Sequence, residues 1–165
     1  MDLIVAVDEK WGIGKDGDLL QHISADMKYF RQKTTGNVLV MGRKTLESFP
    51  NQKPLPNRVN IVLTANKEYQ AEGVLLCHSL EELPGVLKAY EDKQIFVAGG
   101  GTVYAQLLPL CETAYVTKIY HTYDADTVFP NLDEHPHWEL AEKGEEQEEN
   151  GIRFSFDVYT RKEGK

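Results

Sequence analysis

Short apolar runs alternate with polar and glycine-containing segments along the chain up to residue 119. The runs at 3–7, 38–41, 59–63, 74–77, 95–98 and 114–119 are typical of strands buried on both faces of a parallel sheet. Helical signals lie between several of them, at 24–34, 43–49, 79–90 and 102–108. The alternation predicts a mainly parallel α/β sheet with helices on both faces, in which ligands bind at the carboxyl ends of the strands.

The end of the chain has a different pattern. From Trp138 onward, polar and apolar residues alternate on both sides of Asn150-Gly151, which is the strongest short hairpin signal. We therefore expect an antiparallel hairpin to complete the sheet. The acidic stretch at 142–150 is interpreted as the solvated tip of this hairpin, without a role in binding.

The helix predicted from Ser24 carries an acidic residue beside apolar ones. Ser24 is the predicted N-cap, and Asp26 falls in the first turn, where backbone amides and the helix dipole favour a carboxylate. That preference alone accounts for many first-turn acids. Asp26 also shares a helix face with Met27 and Phe30, and this face is expected to pack inward. The arrangement suggests a pocket in which burial raises the pKa of the Asp26 carboxyl against the opposing effect of the dipole.

Composition narrows the class of protein. A chain of 165 residues with 41% hydrophobic content suits a single domain spanning 1–165, and a monomer is the default expectation. The net charge of −8 argues against nucleic acid or an anionic membrane as the main partner. No apolar run is long enough to cross a bilayer and the first residues lack an export signal, so we expect a cytoplasmic protein. Cys77 and Cys111 are predicted to be reduced thiols.

Two strand-to-helix junctions have chemistry suited to phosphate. Gly42 to Thr45 combines a helix start with Arg43 and Lys44, whereas Ala98 to Thr102 places three glycines between a strand and a helix. Taken singly, the glycines also fit a tight turn, and the two basic residues also fit a solvated surface. Together, the junctions indicate a ligand with separated phosphates, such as a dinucleotide.

Residue spacing disfavours other kinds of site. Gly12 to Gly14 lacks the third glycine and the following helix of a Rossmann fingerprint. The five histidines have no ligand spacing with cysteines or carboxylates, so no metal site is expected, and no Ser-His-Asp arrangement indicates a hydrolase. A pocket carboxylate, a dinucleotide-like phosphate site and a glycine-rich loop suit hydride transfer.

Seven segments occur in order along nearly the whole chain: LIVAVDEKWGIG, ISADMKYF, VLVMGRKTLESF, PLPNRVNIVLT, IFVAGGGTVYAQLL, AYVTKIY and DADTVFP. Together with the final hairpin, they resemble the bacterial dihydrofolate reductases. The resemblance implies an eight-stranded sheet, with seven strands parallel and the last antiparallel. It also implies a tetrahydrofolate-forming oxidoreductase of one-carbon metabolism, which reduces 7,8-dihydrofolate with NADPH and binds antifolate-type inhibitors.

The resemblance assigns roles at the substrate site. Asp26 matches the single ionisable group of the pterin pocket, where it would hold the amidine edge by paired hydrogen bonds and raise the basicity of N5. Thr117 matches the residue that bonds this carboxylate, and Arg58 matches the one that takes the glutamate α-carboxylate in a bidentate pair. The apolar surroundings of the pterin and aminobenzoate are expected from Ile4, Val5, Ala6, Met27, Phe30, Phe49, Leu55 and Ala98.

The same resemblance assigns the cofactor site. Gly42 to Thr45 and Gly99 to Val103 match the pyrophosphate-binding segments, with a cis peptide between Gly99 and Gly100. Arg43 and Thr64 match groups near the 2′-phosphate, which favours NADPH over NADH. The nicotinamide side is expected at Ala6, Ile13 and Gly14. The whole expected set is Ala6, Ile13, Gly14, Leu19, Gly42, Arg43, Lys44, Thr45, Leu63, Thr64, Ala98, Gly99, Gly100, Gly101, Thr102 and Val103.

One pair of residues departs from the family pattern. Leu20-Gln21 stands where family members usually carry Pro-Trp just before the helix. We hypothesise that the Gln21 amide replaces the water contact of the Trp, in which case Gln21→Trp changes the pH dependence of hydride transfer. Two alternatives remain: an NADPH-dependent reductase of riboflavin synthesis acting on a pyrimidine ribityl substrate, and a non-catalytic pterin- or nucleotide-binding module.

Overall fold

A large mixed sheet forms the centre of the protein, and the computed structural model describes residues 1–15 and 20–162. A smaller sheet pairs β2 (Gly12–Gly14) with β8 (Thr127–Val128). In the described residues, the larger sheet contains β1 (Asp2–Val7), β3 (Val38–Gly42), β4 (Val59–Leu63), β5 (Leu75–Cys77), β6 (Ile95–Val97), β7 (Thr113–Ile119), β9 (Trp138–Glu142), β10 (Gln147–Glu149) and β11 (Ile152–Arg161).

The strands of the larger sheet lie in the order β10-β11-β7-β1-β6-β3-β4-β5. All pairs from β7 to β5 are parallel, whereas β11 is antiparallel to β7. Both β9 and β10 pair antiparallel with β11, β9 along residues 158–161 and β10 along residues 152–154, so they follow each other on the same edge. Across the described residues, the sheet is therefore eight strand positions wide and only β11 runs against the others. This confirms the predicted fold.

Helices cover the sheet at the predicted places. They are α1 (Ser24–Thr34), α2 (Arg43–Glu47), α3 (Leu83–Leu87) and α4 (Gly101–Leu107), with short 3-10 helices at Pro50–Gln52, Lys88–Tyr90 and Leu108–Leu110. The start of α3 differs from the prediction. The helical signal starts at residue 79, and Ser79 Oγ accepts a capping hydrogen bond from the Glu82 amide at 3.2 Å, but the regular helix begins only at Leu83. Pro84 explains the delay, because proline is tolerated in the first turn of a helix and not in its interior.

Side chains on the central strands enter two separate apolar clusters. On β1, Leu3 and Val5 pack into one cluster and Ile4 into the other, and on β3, Val40 and Leu39 divide in the same way. Successive residues of a strand point to opposite faces, and here both faces are covered. The uniformly apolar runs in the sequence follow from this two-sided burial.

Two further sequence expectations concern membrane spans and thiols. Among the described residues, none of the helices has the length and apolar character needed to cross a membrane. Cys77 and Cys111 are buried free cysteines, as predicted.

The start of α1 differs from the prediction in two respects. Ile23, not Ser24, is the N-cap residue, and its side chain makes no capping hydrogen bond. Ile23 is buried and packs with Ile119, which fixes where the chain enters the helix and leaves Ser24 exposed as the first helical residue. Met27 is 54% exposed, so the face predicted to pack inward does so at Phe30 and not at Met27.

The acidic stretch at 142–150 is only partly a solvated tip. The hairpin turn forms as predicted, with Asn150 at φ 52° and Gly151 at φ 82°. Near its other end, the Gly144 N–H donates to the fully buried Asp157 carboxylate at 3.0 Å. Glu149 is half-buried and its carboxylate bonds to the start of α1. Composition could not show these contacts, because both join segments that are distant in the sequence.

Candidate active site

The Asp26 carboxylate is held between α1 and β7. Thr117 Oγ1 donates to Asp26 Oδ1 at 2.6 Å, and Thr117 is 1% exposed. Burial raises the pKa of the Asp26 carboxyl above its usual 3.8, and the hydrogen bond from Thr117 acts in the opposite direction with a smaller effect. A carboxyl whose pKa is raised by burial and opposed by one specific partner is a candidate functional group.

The register of β7 places this pair beside the first strand. Thr117 is aligned with Ala6 on β1 and with Phe156 on β11. Ala6 also lines a cavity described below. Thr117, the partner of the carboxylate, and Ala6, which lines the cavity, are therefore directly paired on adjacent strands.

The apolar residues predicted around the substrate are largely brought together. Ile4, Phe30, Phe49, Leu55 and Ala98 belong to one cluster on the same face of the sheet. The side chain of Val5 packs into the cluster on the opposite face, although the residue lines the same cavity as Ala6. Met27 lies apart from them, exposed on α1.

Arg58 is held on its loop by two hydrogen bonds. Its Nε donates to Pro56 O at 2.9 Å, and its Nη1 donates to Thr34 Oγ1 on α1 at 3.1 Å. The buried Asn60 organises the loop, because its side chain bonds both the N–H and the C=O of Leu55. Among the described residues, no carboxylate pairs with Arg58, so its guanidinium is available to an external anion.

A cavity of about 510 Å³ lies at the carboxyl ends of β3, β4, β5 and β6. The two predicted phosphate junctions meet here, because the Gly42 N–H donates to Gly99 O at 2.8 Å. Arg43 Nη1 lies 3.1 Å from Glu47, so one of its donors is engaged within α2. The predicted cofactor residues that line the cavity are Gly42, Arg43, Lys44, Thr45, Leu63, Thr64, Gly100, Gly101, Thr102 and Val103.

A second cavity of about 220 Å³ adjoins the first. Strand β2, which ends at Gly14, borders it and is tied to the segment before β8, since the Asp126 N–H donates to Gly14 O at 2.9 Å. Leu19, also predicted to contact the cofactor, lies outside the described residues. The predicted residues that line this cavity are Val5, Ala6, Ile13, Gly14, Lys44, Thr45, Ala98, Gly99, Gly100 and Gly101.

Glycines allow the backbone segments around the two cavities to pack closely, where a side chain would collide with its neighbours. A Cβ atom at Gly42 would lie 3.1 Å from Val103 Cγ2, and one at Gly101 would lie 2.6 Å from Thr127 Cγ2. Gly99 has φ +118°, a conformation that side chains disfavour. The peptide that follows it is cis, as the resemblance implied.

The first cavity also has the charge and donors that a dinucleotide needs. The N-cap residue of α4 is Gly100, which has no side chain, so in the described part of the chain no N-cap side chain bonds the first amides of this helix, and a ligand can bond them. Arg43 and Lys44, which also line this cavity, add positive charge. Cavity, amides and cations together fit an anionic dinucleotide.

Sequence analysis missed several residues of these cavities. His78 lines the first cavity and donates its Nδ1–H to Thr64 O at 2.9 Å, which leaves Nε2 for a ligand. Tyr104 lines the second cavity, and its hydroxyl donates to Ile4 O at 2.6 Å. Burial, with a smaller effect from the Asp26 charge, raises the pKa of Tyr104. Tyr104 could have been found from its position three residues after the glycines, whereas no feature of the sequence pointed to His78. Ser48, Ala65, Ser79, Leu80, Gln106 and Thr127 were also missed.

Gln21, at the position that departs from the family pattern, contacts the segment after β7. Its side-chain oxygen accepts a hydrogen bond from the Tyr123 hydroxyl at 3.1 Å. One end of the amide is thus engaged within the protein. The hypothesis that the amide replaces a water contact stays a prediction.

Comparison with known proteins identifies the family. The sequence model for dihydrofolate reductase matches residues 1–161. The chain belongs to the dihydrofolate reductase family. It is 37% identical to dihydrofolate reductase of Bacillus subtilis, over 98% of this chain and 95% of the relative. It is 39% identical to dihydrofolate reductase of Drosophila melanogaster, over 95% of each chain.

A solved structure supports the same family. The dihydrofolate reductase from Enterococcus faecalis, complexed with NADP(H) and RAB-propyl, matches with a TM-score of 0.85 and 41% sequence identity. The match covers 98% of this chain and 96% of that one. The resemblance inferred from the sequence motifs is therefore confirmed, as is the fold class.

Proposed function

We propose that this member of the dihydrofolate reductase family reduces 7,8-dihydrofolate to 5,6,7,8-tetrahydrofolate with NADPH, a reaction of one-carbon metabolism. In the overall reaction, dihydrofolate, NADPH and one proton give tetrahydrofolate and NADP⁺. The observation that carries the proposal is the Asp26 carboxylate, bonded at 2.6 Å to Thr117, which is directly paired with Ala6 beside the cavities suited to a dinucleotide.

Asp26 is the group that binds and activates the pterin. Its Oδ1 accepts from Thr117, and Oδ2 has no hydrogen-bond partner in the described part of the chain. The amidine edge of a pterin offers two parallel N–H donors, which match the two oxygens of a carboxylate. The negative charge of Asp26 raises the basicity of pterin N5, so that solvent water protonates this atom more readily.

The remaining substrate contacts follow from the same cleft. Phe30, Phe49 and Leu55 lie in one apolar cluster and pack against the pterin and aminobenzoate rings. Arg58 binds the α-carboxylate of the glutamate, because its loop and α1 already hold the guanidinium in place.

The cofactor is held by the residues of the two cavities. Gly42 to Thr45 and Gly99 to Val103 bind the pyrophosphate, and Arg43, Thr64 and His78 surround the 2′-phosphate. Ala6, Ile13 and Gly14 orient the nicotinamide ring. NADPH, when bound, supplies the hydride for reduction at pterin C6.

Domain structure, assembly and location complete the proposal. We infer that residues 1–165 form one dihydrofolate reductase-like domain, which acts as a monomer in the cytoplasm. Antifolate-type inhibitors compete with dihydrofolate at the Asp26 cleft. The net charge of −8 supports the absence of a nucleic-acid partner.

The proposed reaction is tested by following NADPH absorbance when dihydrofolate is added, with tetrahydrofolate identified chromatographically. A parallel assay contains a pyrimidine ribityl substrate of riboflavin synthesis. We expect one NADPH to be oxidised per dihydrofolate and none in the parallel assay. Oxidation only in the parallel assay would support the riboflavin-type reductase, and binding of both folate and NADPH without oxidation would support the binding module.

A further inference from the structure

A residue from the last hairpin holds the start of α1. The Ser24 N–H donates to Glu149 Oε2 at 2.7 Å, and the Ala25 N–H donates to Glu149 Oε1 at 3.1 Å. The N-cap residue Ile23 makes no such bond with its side chain. Glu149 therefore performs from β10 the role that an N-cap side chain normally performs from within the helix segment.

Because of this arrangement, the Asp26 carboxylate is not needed as an acceptor for the amides of the first turn. The Asp26 and Met27 N–H groups both donate to Ile23 O at 3.0 Å. With Ser24 and Ala25 bonded to Glu149, all four amides of the first turn have acceptors. An aspartate in a first turn often bonds such amides with its own carboxylate. Here, Asp26 bonds Thr117 instead.

The position of Glu149 is fixed by the hairpin that carries it. Glu149 immediately precedes the turn at Asn150 and Gly151, and it is directly opposite Ile152 on β11. Ile152 packs in the same apolar cluster as Ile23. The hairpin is therefore docked against the residue that begins α1, and the carboxylate is pre-positioned for the two amides.

A second contact fixes α1 on the other side of Asp26. The ring of Tyr29 stacks on that of Phe156 with centroids 4.1 Å apart and planes 10° apart. Phe156 is aligned with Thr117, the partner of Asp26. The segment that carries Asp26 is thus held to β10 and β11 at both ends, within two turns of helix.

We propose that Glu149 is a positioning residue for the reaction, which holds the first turn of α1 so that the Asp26 carboxylate faces the pterin. Glu149 lines neither of the two cavities, so in this proposal it acts through Asp26. Its negative charge also complements the positive end of the α1 dipole. This inference rests on the proposed role of Asp26.

A double-mutant cycle tests the inference. The variants are Glu149→Ala, which removes both acceptors, and Glu149→Gln, which keeps one acceptor in a side chain of the same size. Each is made in the native protein and in Asp26→Asn, and kcat/KM for dihydrofolate is measured at pH 5, where the substrate protonates with less help. Glu148→Gln is the matched control, since this substitution removes the same charge from the same strand at an exposed residue.

We expect Glu149→Ala to lower kcat/KM for dihydrofolate about three- to tenfold in the native protein, the range for loss of a helix cap. Glu149→Gln lowers it about two- to threefold, which is the square root of that factor, because one amide keeps its acceptor and half of the free energy is lost. In the Asp26→Asn background, both variants change kcat/KM by less than about twofold, since the group they position is gone. KM for NADPH and the activity of Glu148→Gln stay at native values.

Equal losses from Glu149→Ala in the two backgrounds would overturn the proposal, because Glu149 would then act on the fold and not through Asp26. A loss in Glu148→Gln as large as that in Glu149→Gln would overturn it as well. If Glu149→Ala does not fold, the Glu149→Gln pair completes the cycle. Failure of the proposed function is distinguishable, because the native protein itself would then not oxidise NADPH with dihydrofolate. Failure of the proposed role of Asp26 is distinguishable too, because Asp26→Asn alone would then be as active as the native protein.

Discussion

Removal of the Thr117 hydroxyl tests how the Asp26 carboxylate is held. Thr117→Val deletes the donor that lies 2.6 Å from Asp26 Oδ1 and replaces it with a methyl group of similar size. The site is 1% exposed, so water does not replace the lost donor. A hydrogen bond to a charged group contributes about 1.5–3 kcal/mol, which corresponds to roughly ten- to a hundredfold in kcat/KM when the whole contribution is lost in the transition state alone. Because this bond is already present in the free enzyme, we expect a smaller fall in kcat/KM for dihydrofolate, about three- to tenfold.

The same substitution has an expected effect on ionisation. The bond from Thr117 lowers the pKa of Asp26, so its loss raises that pKa further. A ¹³C NMR titration of labelled aspartate measures the shift, with Asp26→Asn to assign the signal. Thr117→Ser is the matched control, because it keeps the hydroxyl and is expected to keep the native pKa. An unchanged or lowered pKa in Thr117→Val, together with native kcat/KM, would refute the reasoning.

Three more outcomes are expected. Asp26→Asn raises the free energy of unfolding at pH 7 by about 0.5–2 kcal/mol. Burial raises the pKa of the Asp26 carboxyl above 3.8, so the folded protein favours the protonated form, and the stability of that form is lost as pH rises through the pKa of the folded state. Asparagine stays neutral and avoids this loss. Urea melts at pH 7 and pH 3.5 check this, and a gain that does not shrink at pH 3.5 would contradict it. Gly144→Ala lowers the free energy of unfolding by about 1–3 kcal/mol, because its Cβ would lie 2.1 Å from Phe156 O. Gly85→Ala, whose Cβ would meet nothing within 4 Å, is the control. Equal free energies of unfolding for the two variants in urea melts would be evidence against the clash. Arg58→Lys raises KM for dihydrofolate roughly tenfold, since lysine lacks the planar fork, with KM for NADPH unchanged; a native KM for dihydrofolate would exclude the bidentate pair.

The sheet could be predicted because its signals are local. The run at 38–41 is apolar throughout, and Val40 and Leu39 indeed enter different clusters on opposite faces. The hairpin at Asn150-Gly151 followed from turn chemistry, which depends on two adjacent residues. Local preference and tertiary structure agree at these places, so the sequence pattern was sufficient.

Parts of the candidate site could not be predicted because they depend on contacts between distant segments. Ser24 has the chemistry of an N-cap, but burial of Ile23 fixes the helix entry one residue earlier, and Glu149 supplies the cap. Asn60 reads as one polar residue in a strand, yet it holds the loop that carries Arg58. His78 reaches the first cavity only because β5 lies beside β4. Strand order, and not residue type, decides such placements.

The central claim is that Asp26 serves the reduction of dihydrofolate, and its most direct test compares the native protein with Asp26→Asn. NADPH oxidation in the presence of dihydrofolate is measured at pH 7 and pH 5. We predict oxidation by the native protein at both values, a loss of at least about a hundredfold in the variant at pH 7, and partial recovery at pH 5, where more substrate protonates unaided. Equal rates for the two proteins at pH 7, or a loss in the variant that is the same at both pH values, would contradict the account.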